Sequence, residues 1–459
     1  MVQEYLELSL SPEDYTLLTD LYQLTMIACY VGEKIDQRQA SFELFVRKLP
    51  TGFGYLIAMG LAQALDYLEK FRFSSEQIDA LKSTGIFANA PSEFWSLLAE
   101  AKFTGNVWAV KEGTAIFPNQ PLLRIEAPLW QGQLVETYLL NTMNYQTLIA
   151  TKAARMRDIA GNSTKLLEFG TRRAFSPQAS VLAARAALAG GMDATSNVLA
   201  ALKLGRKPVG TMAHSLVMAI SAVEGSEEDA FKSFQRYFPT ATLLIDTYDT
   251  LSATRLLARR VKQGEMQISG VRLDSGNLVE LSQKVRSLLP EVRIFASGDI
   301  DEWEIARLVK ENACIDGYGI GTKLVTGVPV NGVYKLVEID GIPAMKNTTG
   351  KVSYPGRKQI YRYLENGQLK QDYLGLMAED VLSQTEPHTD SFVKLMIQVV
   401  KNGERLQTSE NLEAIAKRTA ISVASLPPET RSLENPILPP MKISHKLQQL
   451  TQKTQANSS

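Results

Sequence analysis

Seven short stretches in the middle of the chain carry residues that a purely structural connection would not need. In order they are Glu168-Phe169-Gly170-Thr171-Arg172-Arg173, Thr195-Ser196-Asn197, Thr211-Met212-Ala213-His214-Ser215, Asp246-Thr247-Tyr248-Asp249, Arg272-Leu273-Asp274-Ser275-Gly276, Ser297-Gly298-Asp299 and Gly319-Ile320-Gly321-Thr322. Each closes a short apolar run, as the end of a strand does. In parallel α/β architectures the carboxyl ends of the strands converge on one face, and ligands bind there. One such ending says little. Seven in succession, with arginines and several glycines among them, point to a single site.

The chemistry they suit is that of a phosphorylated small molecule. Glycines beside Ser, Thr and Asp at the last two endings let a backbone approach phosphate closely, with the next helix presenting its positive end. The same residues make ordinary turns and helix caps, so either ending alone supports both readings. Their adjacency, and the nearness of Arg272, favour phosphate. His214, one of three histidines, follows a strand and opens a helix. That position favours a neutral, nucleophilic imidazole and would stabilise a phosphate attached to the ring. It also suits a histidine that only hydrogen-bonds at a strand end. His388 and His445 read as surface residues. Asp246, Asp274 and Asp299 could ligate a hard cation, but there is no compact acidic loop. The expectation is therefore no protein-held metal, with magnesium arriving on the substrate's phosphates.

The elements must place these endings together. A chain of 459 residues exceeds one compact core, so two or three domains are expected. Hydrophobic residues make up 45% and charged residues 21%, with a formal net charge of zero. No global field draws such a chain to nucleic acid or an anionic membrane. The two cysteines, Cys29 and Cys314, form no CxxC pair, which excludes a zinc ribbon and argues against a disulfide scaffold. The opening segment lacks a basic stretch followed by an apolar run, so no secretory signal is expected. No apolar stretch approaches the roughly 20 residues that span a bilayer. The expected location is the cytoplasm.

Residues 106–128 alternate apolar residues with turn signals at Glu112-Gly113 and Pro118-Asn119, which predicts a small antiparallel unit. A long helix is predicted from about Gly132 to Gly161. From Lys165, short apolar runs alternate with amphipathic stretches, the sequence form of strand–helix units. The strand candidates are KLLEFG, DATSN, PVGTMA, TLLID, ISGVRLD, VRIFASG and CIDGYGIG. Seven strands predict an α/β fold built on an irregular parallel α/β barrel, with an open doubly wound sheet as the second choice. Hairpins return after about Val325, with a tight-turn signal at Glu365-Asn366-Gly367. The proline-rich residues 425–441 are expected to run extended over the surface. The division expected is an N-terminal α+β domain (1–131), a catalytic barrel (132–325), hairpins and extended segments packing on the N-terminal domain (326–445) and a disordered tail (446–459).

Taken together, the motifs resemble nicotinate phosphoribosyltransferase, the ATP-dependent enzyme family that joins nicotinate to phosphoribosyl pyrophosphate. The matching stretches are TDLYQLTM (19–26), FELFVRKLP (42–50), EFGTRRA (168–174), GTMAHS (210–215), LIDTYDT (244–250), GVRLDSG (270–276) and GIGTKLVT (319–326). They span nearly the whole chain in the family's order. The resemblance implies nicotinate mononucleotide as product, with pyrophosphate, ADP and phosphate released. It implies a homodimer with shared active sites, in which Tyr22 serves the neighbouring subunit's pocket.

In the family, the histidine matching His214 is transiently phosphorylated by ATP. The residues matching Tyr22, Thr211 and Arg272 contact nicotinate, and the one matching Thr322 contacts the phosphoribosyl donor. A flat ring bearing a carboxylate wants aromatic faces and a guanidinium fork; Tyr22 and Phe169 can supply the faces, and Arg272 or Arg172 the fork. Asp274, Ser275, Gly276, Gly298, Gly319, Gly321 and Thr322 are expected on the donor. By analogy with the related nicotinamide enzyme, Asp246 is expected to orient His214.

Three competing readings share the scaffold. The nicotinamide-specific relative has an aspartate in place of Ser196, which would repel nicotinate where a neutral serine tolerates it. Asn277 points the other way, since RLDSGD is common in the nicotinate family. Quinolinate phosphoribosyltransferase is shorter, needs a basic pocket for two carboxylates and leaves GTMAHS unexplained. A non-catalytic sensor should have lost His214 or the arginines, and this chain has all of them.

Overall fold

The computed structural model describes residue 8 and residues 10–346, 353–379 and 392–457; His388 lies outside the described residues. The chain forms two compact units, one of Met1–Thr147, Pro329–Asn411 and Ala424–Ser459, the other of Leu148–Val328 and Leu412–Val423. The division falls inside the helix Glu136–Ala160 rather than at 131/132, because that helix continues unbroken. It ends where expected, at Gly161 with φ of 75°, the left-handed residue that commonly stops a helix. Leu412–Val423 joins the second unit rather than the C-terminal segments.

Six parallel strands form the sheet of the second unit: β1 (Lys165–Glu168), β2 (Ala194–Thr195), β3 (Leu243–Leu244), β4 (Gly270–Leu273), β5 (Arg293–Ser297) and β6 (Gly317–Ile320). Their order is β2-β1-β6-β5-β4-β3, with every neighbouring pair parallel. A sheet covered on both faces needs apolar runs rather than alternation, and Leu166, Leu244, Val271, Ile294 and Ile320 are fully buried. Helices follow the strands, and their caps lie in the strand-end cluster. Asn197, Asp249, Asn277 and Asp301 each accept a backbone N–H three residues on, an interaction worth about 1 kcal/mol.

The expected strand over 208–213 is absent. Pro208 has no N–H to give a ladder and Gly210 has no side chain to pack. The segment stands beside β2, with the Val209 N–H donating to the Thr195 carbonyl at 3.0 Å. The ladder is therefore open between β2 and β3, and among the described residues the strands form no closed barrel.

The first unit carries a seven-stranded antiparallel sheet in the order 342–343, 332–339, 39–46, 121–128, 106–110, 396–401, 404–405, and a four-stranded sheet in the order 392–394, 358–365, 368–376, 441–443. Asn106–Val110 pairs antiparallel with Pro121–Pro128, as the alternation there predicts. Two hairpins turn on Asp340-Gly341 (φ 47° and 77°) and Asn366-Gly367 (φ 50° and 76°), the type I′ backbone that matches strand twist. Glu43 is fully buried and meets Lys358 Nζ at 2.8 Å and Arg124 Nη1 at 3.6 Å. Burial holds the Lys358 ammonium below its usual pKa, although Glu43 opposes this.

Residues 446–459, expected to be disordered, mostly belong to a helix, His445–Asn457. Leu447, Thr451 and Thr454 recur at helical spacing and are buried; two of the three are threonines, so the stripe reads as polar. His445 is exposed. The proline-rich stretch is not a surface strap throughout, since Leu426 and Thr430 are buried and Pro428–Arg431 makes a helical turn. No helix among the described residues is long and apolar enough to cross a membrane.

Candidate active site

Arg272 is the third residue of β4. Its Nη1 donates to Thr211 Oγ1 at 2.6 Å and its Nη2 to the Met212 carbonyl at 3.1 Å, so a strand-end arginine grips the segment that failed to become a strand. Its Nε is buried without an acceptor. Burial lowers its pKa; Asp274 and Asp246 oppose this, and the charge of Arg172 adds to it. Arg172 itself is exposed, on the single turn Thr171–Arg173 after β1. No carboxylate pairs with it among the described residues. Two guanidiniums thus act on each other.

His214 opens the helix His214–Glu224, and its cap residue Ala213 offers no side-chain bond. The N–H groups at that end are left to other acceptors. Nδ1 meets Thr247 Oγ1 at 3.1 Å, and Nε2 lies 4.0 Å from Asp274 Oδ2. The side chain is 41% exposed, so a reactant can reach the ring. Asp246, expected to orient it, makes no hydrogen bond to it among the described residues. Its Oδ2 accepts the Asp274 N–H at 2.8 Å and the Ser275 hydroxyl at 2.7 Å, while its Oδ1 is buried without a donor. The turn after β4 claims the carboxylate, and the next residue, Thr247, takes the imidazole.

The residues expected on the phosphoribosyl donor lie at neighbouring strand ends, with Ser297 opposite Gly319. Asp274 accepts the Ser297 hydroxyl. Gly298 has φ of 88°, and a Cβ there would lie 2.3 Å from the Asp274 carbonyl oxygen. A Cβ on Gly319 would come within 2.4 Å of the Phe169 ring, and one on Gly321 within 3.2 Å of the Phe169 carbonyl oxygen. These glycines are required by internal packing before any phosphate is considered. Gly276 also has positive φ, at 85°. Thr322 opens the four-residue helix Thr322–Val325. Asn277 is a helix cap, which aspartate serves equally well; its identity carries no substrate information. Ser196 is half-buried, its N–H donating to the Glu168 carbonyl at 2.9 Å. Tyr22 lies in the first unit on the helix Leu21–Gly32 and is 48% exposed.

Motif reading quoted Thr247 and Glu168 without giving either a role, and passed over Glu227. Glu168 is 1% exposed, and its carboxylate accepts from the Gly170 N–H and the Thr195 hydroxyl; burial pushes its pKa up. Glu227 opens the helix Glu227–Tyr237, where it reads as one of three acids favouring a helix start. Its carboxyl is pushed up to about 7, first by burial and then by Asp246 and Asp249. Among the described residues no group of three or more His, Cys, Asp or Glu could hold a metal ion. The free Asp246 Oδ1 fits a cation that arrives with other ligands.

Comparison with known proteins agrees with these motifs along the chain. Residues 17–144 match the nicotinate phosphoribosyltransferase N-terminal domain, residues 164–351 the nicotinate phosphoribosyltransferase family and residues 357–451 its C-terminal domain. The nicotinate phosphoribosyltransferase pncB2 of Mycobacterium tuberculosis is 40% identical over 430 residues, covering 91% of this chain and 89% of the relative. The nicotinate phosphoribosyltransferase of Bacillus subtilis is 40% identical over 398 residues, covering 83% and 80%. The crystal structure of human nicotinic acid phosphoribosyltransferase superposes with a TM-score of 0.83 at 29% identity, covering 95% of this chain and 99% of that one. With its strand-end site and the family's signatures at all three parts of its length, this chain belongs to the nicotinate phosphoribosyltransferase family.

Proposed function

We propose that this chain is a cytoplasmic enzyme that converts nicotinate and 5-phosphoribosyl 1-pyrophosphate to nicotinate mononucleotide and pyrophosphate, the first step of NAD salvage from nicotinate, coupled to ATP hydrolysis through a phosphate on His214. The observation that carries the reading is the arginine pair: Arg272 is largely buried with an orphaned Nε, and Arg172 stands near it without an acid. A planar carboxylate supplies the acceptors such a pair lacks. Phe169 and Tyr22 offer aromatic faces, Thr211 a hydroxyl and Ser196 a neutral neighbour that does not repel an acid. The turns at 274–276, 298 and 319–322 hold the donor and align its anomeric carbon with the pyridine nitrogen, which is most of the catalytic task. Magnesium bound with the donor neutralises charge on the departing pyrophosphate.

Two further readings belong with this one. The six strands, with 208–213 beside β2 and clasped by Arg272, form an irregular barrel closed by side-chain bonds where the ladder is missing. The exposed Phe175, Val198, Leu199, Leu202, Met218 and Val223 of the second unit support a homodimer, in which Tyr22 serves the neighbouring pocket.

The test is an assay with nicotinate and nicotinamide side by side, together with labelled ATP. Nicotinate should be preferred, and acid-labile label should appear on the wild type but not on His214→Ala. Preference for nicotinamide would overturn the substrate, and equal labelling of both proteins would overturn the role of His214.

A further inference from the structure

Glu168 is a buried carboxylate with no ion-pair partner among the described residues. Its two oxygens accept from donors on different strand ends, the Gly170 N–H after β1 and the Thr195 hydroxyl at the end of β2. Thr195 Oγ1 in turn accepts the Asn197 N–H at 2.9 Å, and Asn197 Nδ2 donates to Ser180 Oγ at 3.1 Å. The two turns so joined carry Phe169 and Arg172 on one side and Ser196 on the other. A carboxylate without a cation is costly to bury unless its hydrogen bonds are retained, and a helix cap or a glycine turn needs no such group here. Glu168 and Thr195 are each 1% exposed, so water does not substitute for either partner.

We propose that Glu168 is a positioning residue for the pyridine acid: it fixes the separation of the Phe169 ring from Ser196 and so determines how tightly nicotinate is held. Glu168 touches no substrate. It acts by holding two turns in register, which a neutral side chain does less well. Both partners are donors, so an acceptor is needed on each oxygen; glutamine keeps one acceptor for Gly170 and turns an amide donor toward Thr195.

The inference rests on the reading of this site as a nicotinate pocket, and the experiment separates the two. KM for nicotinate, KM for phosphoribosyl pyrophosphate, kcat and ATP labelling of His214 are measured for wild type, Glu168→Ala and Glu168→Gln. Losing hydrogen bonds to a charged group should raise the nicotinate KM of Glu168→Ala by about tenfold or more. Its donor KM and labelling should stay within about twofold, with Glu168→Gln lying between it and wild type. Should Glu168→Ala not fold, Thr195→Val removes one donor with little change of shape, and the same split, smaller in size, is expected of it. Unchanged nicotinate KM in both Glu168→Ala and Thr195→Val overturns the positioning role. So does an equal loss in nicotinate KM, donor KM and labelling, which would mark a merely structural group. A wild type that turns over no nicotinate overturns the functional reading, and this inference with it.

Discussion

At Glu227, burial and the charges of Asp246 and Asp249 push the carboxyl from 4.5 up to about 7. The folded-state value is the higher of the two, so the stability that goes with the protonated form is fully present below about 4.5 and is lost as pH rises through about 7. Glu227→Gln keeps the neutral shape at every pH. Its melting temperature should match wild type near pH 5 and exceed it increasingly toward about pH 8. A difference independent of pH would show that the carboxyl ionises as an ordinary glutamate. Adjacent residues explain why such roles were not fully legible in the motifs. LIDTYDT places Asp246 and Thr247 at one strand end, and nothing in the string says which of them faces the imidazole. The turn after β4, with its Asp274 N–H and Ser275 hydroxyl, decides it. Arg272, Thr211 and His214 could be singled out because each lies within a dense motif, Arg272 in GVRLDSG and the other two in GTMAHS. Glu168 was quoted in a motif, but its role depends on Thr195, 27 residues away.

Among the elements, the turn after β6 shows how glycine is dictated by packing. Gly319→Ala would drive a Cβ to 2.4 Å from the Phe169 ring. Overpacking of this kind costs about 1–3 kcal/mol, and the expected outcome is a lower denaturation midpoint. Trimming the ring in Gly319→Ala with Phe169→Leu should recover part of it. If Gly319→Ala alone is as stable as wild type, the ring is free to move aside. The strand–helix alternation from Lys165 onward was legible because buried parallel strands are apolar runs and their helices begin with strong caps. The segment 208–213 was misread for the same reason: Val209 and Met212 supply apolar texture, while Pro208 and Gly210 remove what a ladder needs. The terminal helix His445–Asn457 was missed because threonines, rather than leucines, fill most of its buried stripe.

On the scale of the whole molecule, the first unit contains a buried charge cluster. Glu43 sits between Lys358 and Arg124 with no solvent exposure. Lys358→Met strands the carboxylate and should cost about 3–5 kcal/mol by denaturant unfolding, whereas Lys358→Met with Glu43→Leu should be close to neutral. Near-neutrality of the single change would show that Arg124 alone satisfies Glu43. Sequence reading saw FELFVRKLP as a signature but could not see this cluster, because Glu43 meets Arg124 through strand pairing and Lys358 lies 315 residues away on another sheet. In the second unit, backbone pairing lapses at the segment that carries Thr211 and leads into His214, and the Arg272 guanidinium clasps that segment. On the function proposed above, an anion that draws Nη1 of Arg272 away from Thr211 releases one of the two bonds by which Arg272 holds the segment leading into His214. By linkage, the occupancy of one end must alter the free energy of the other by an equal amount. On that same proposal, nicotinate at Arg272 and phosphate at His214 become thermodynamic partners, joined through one side chain rather than through the sheet.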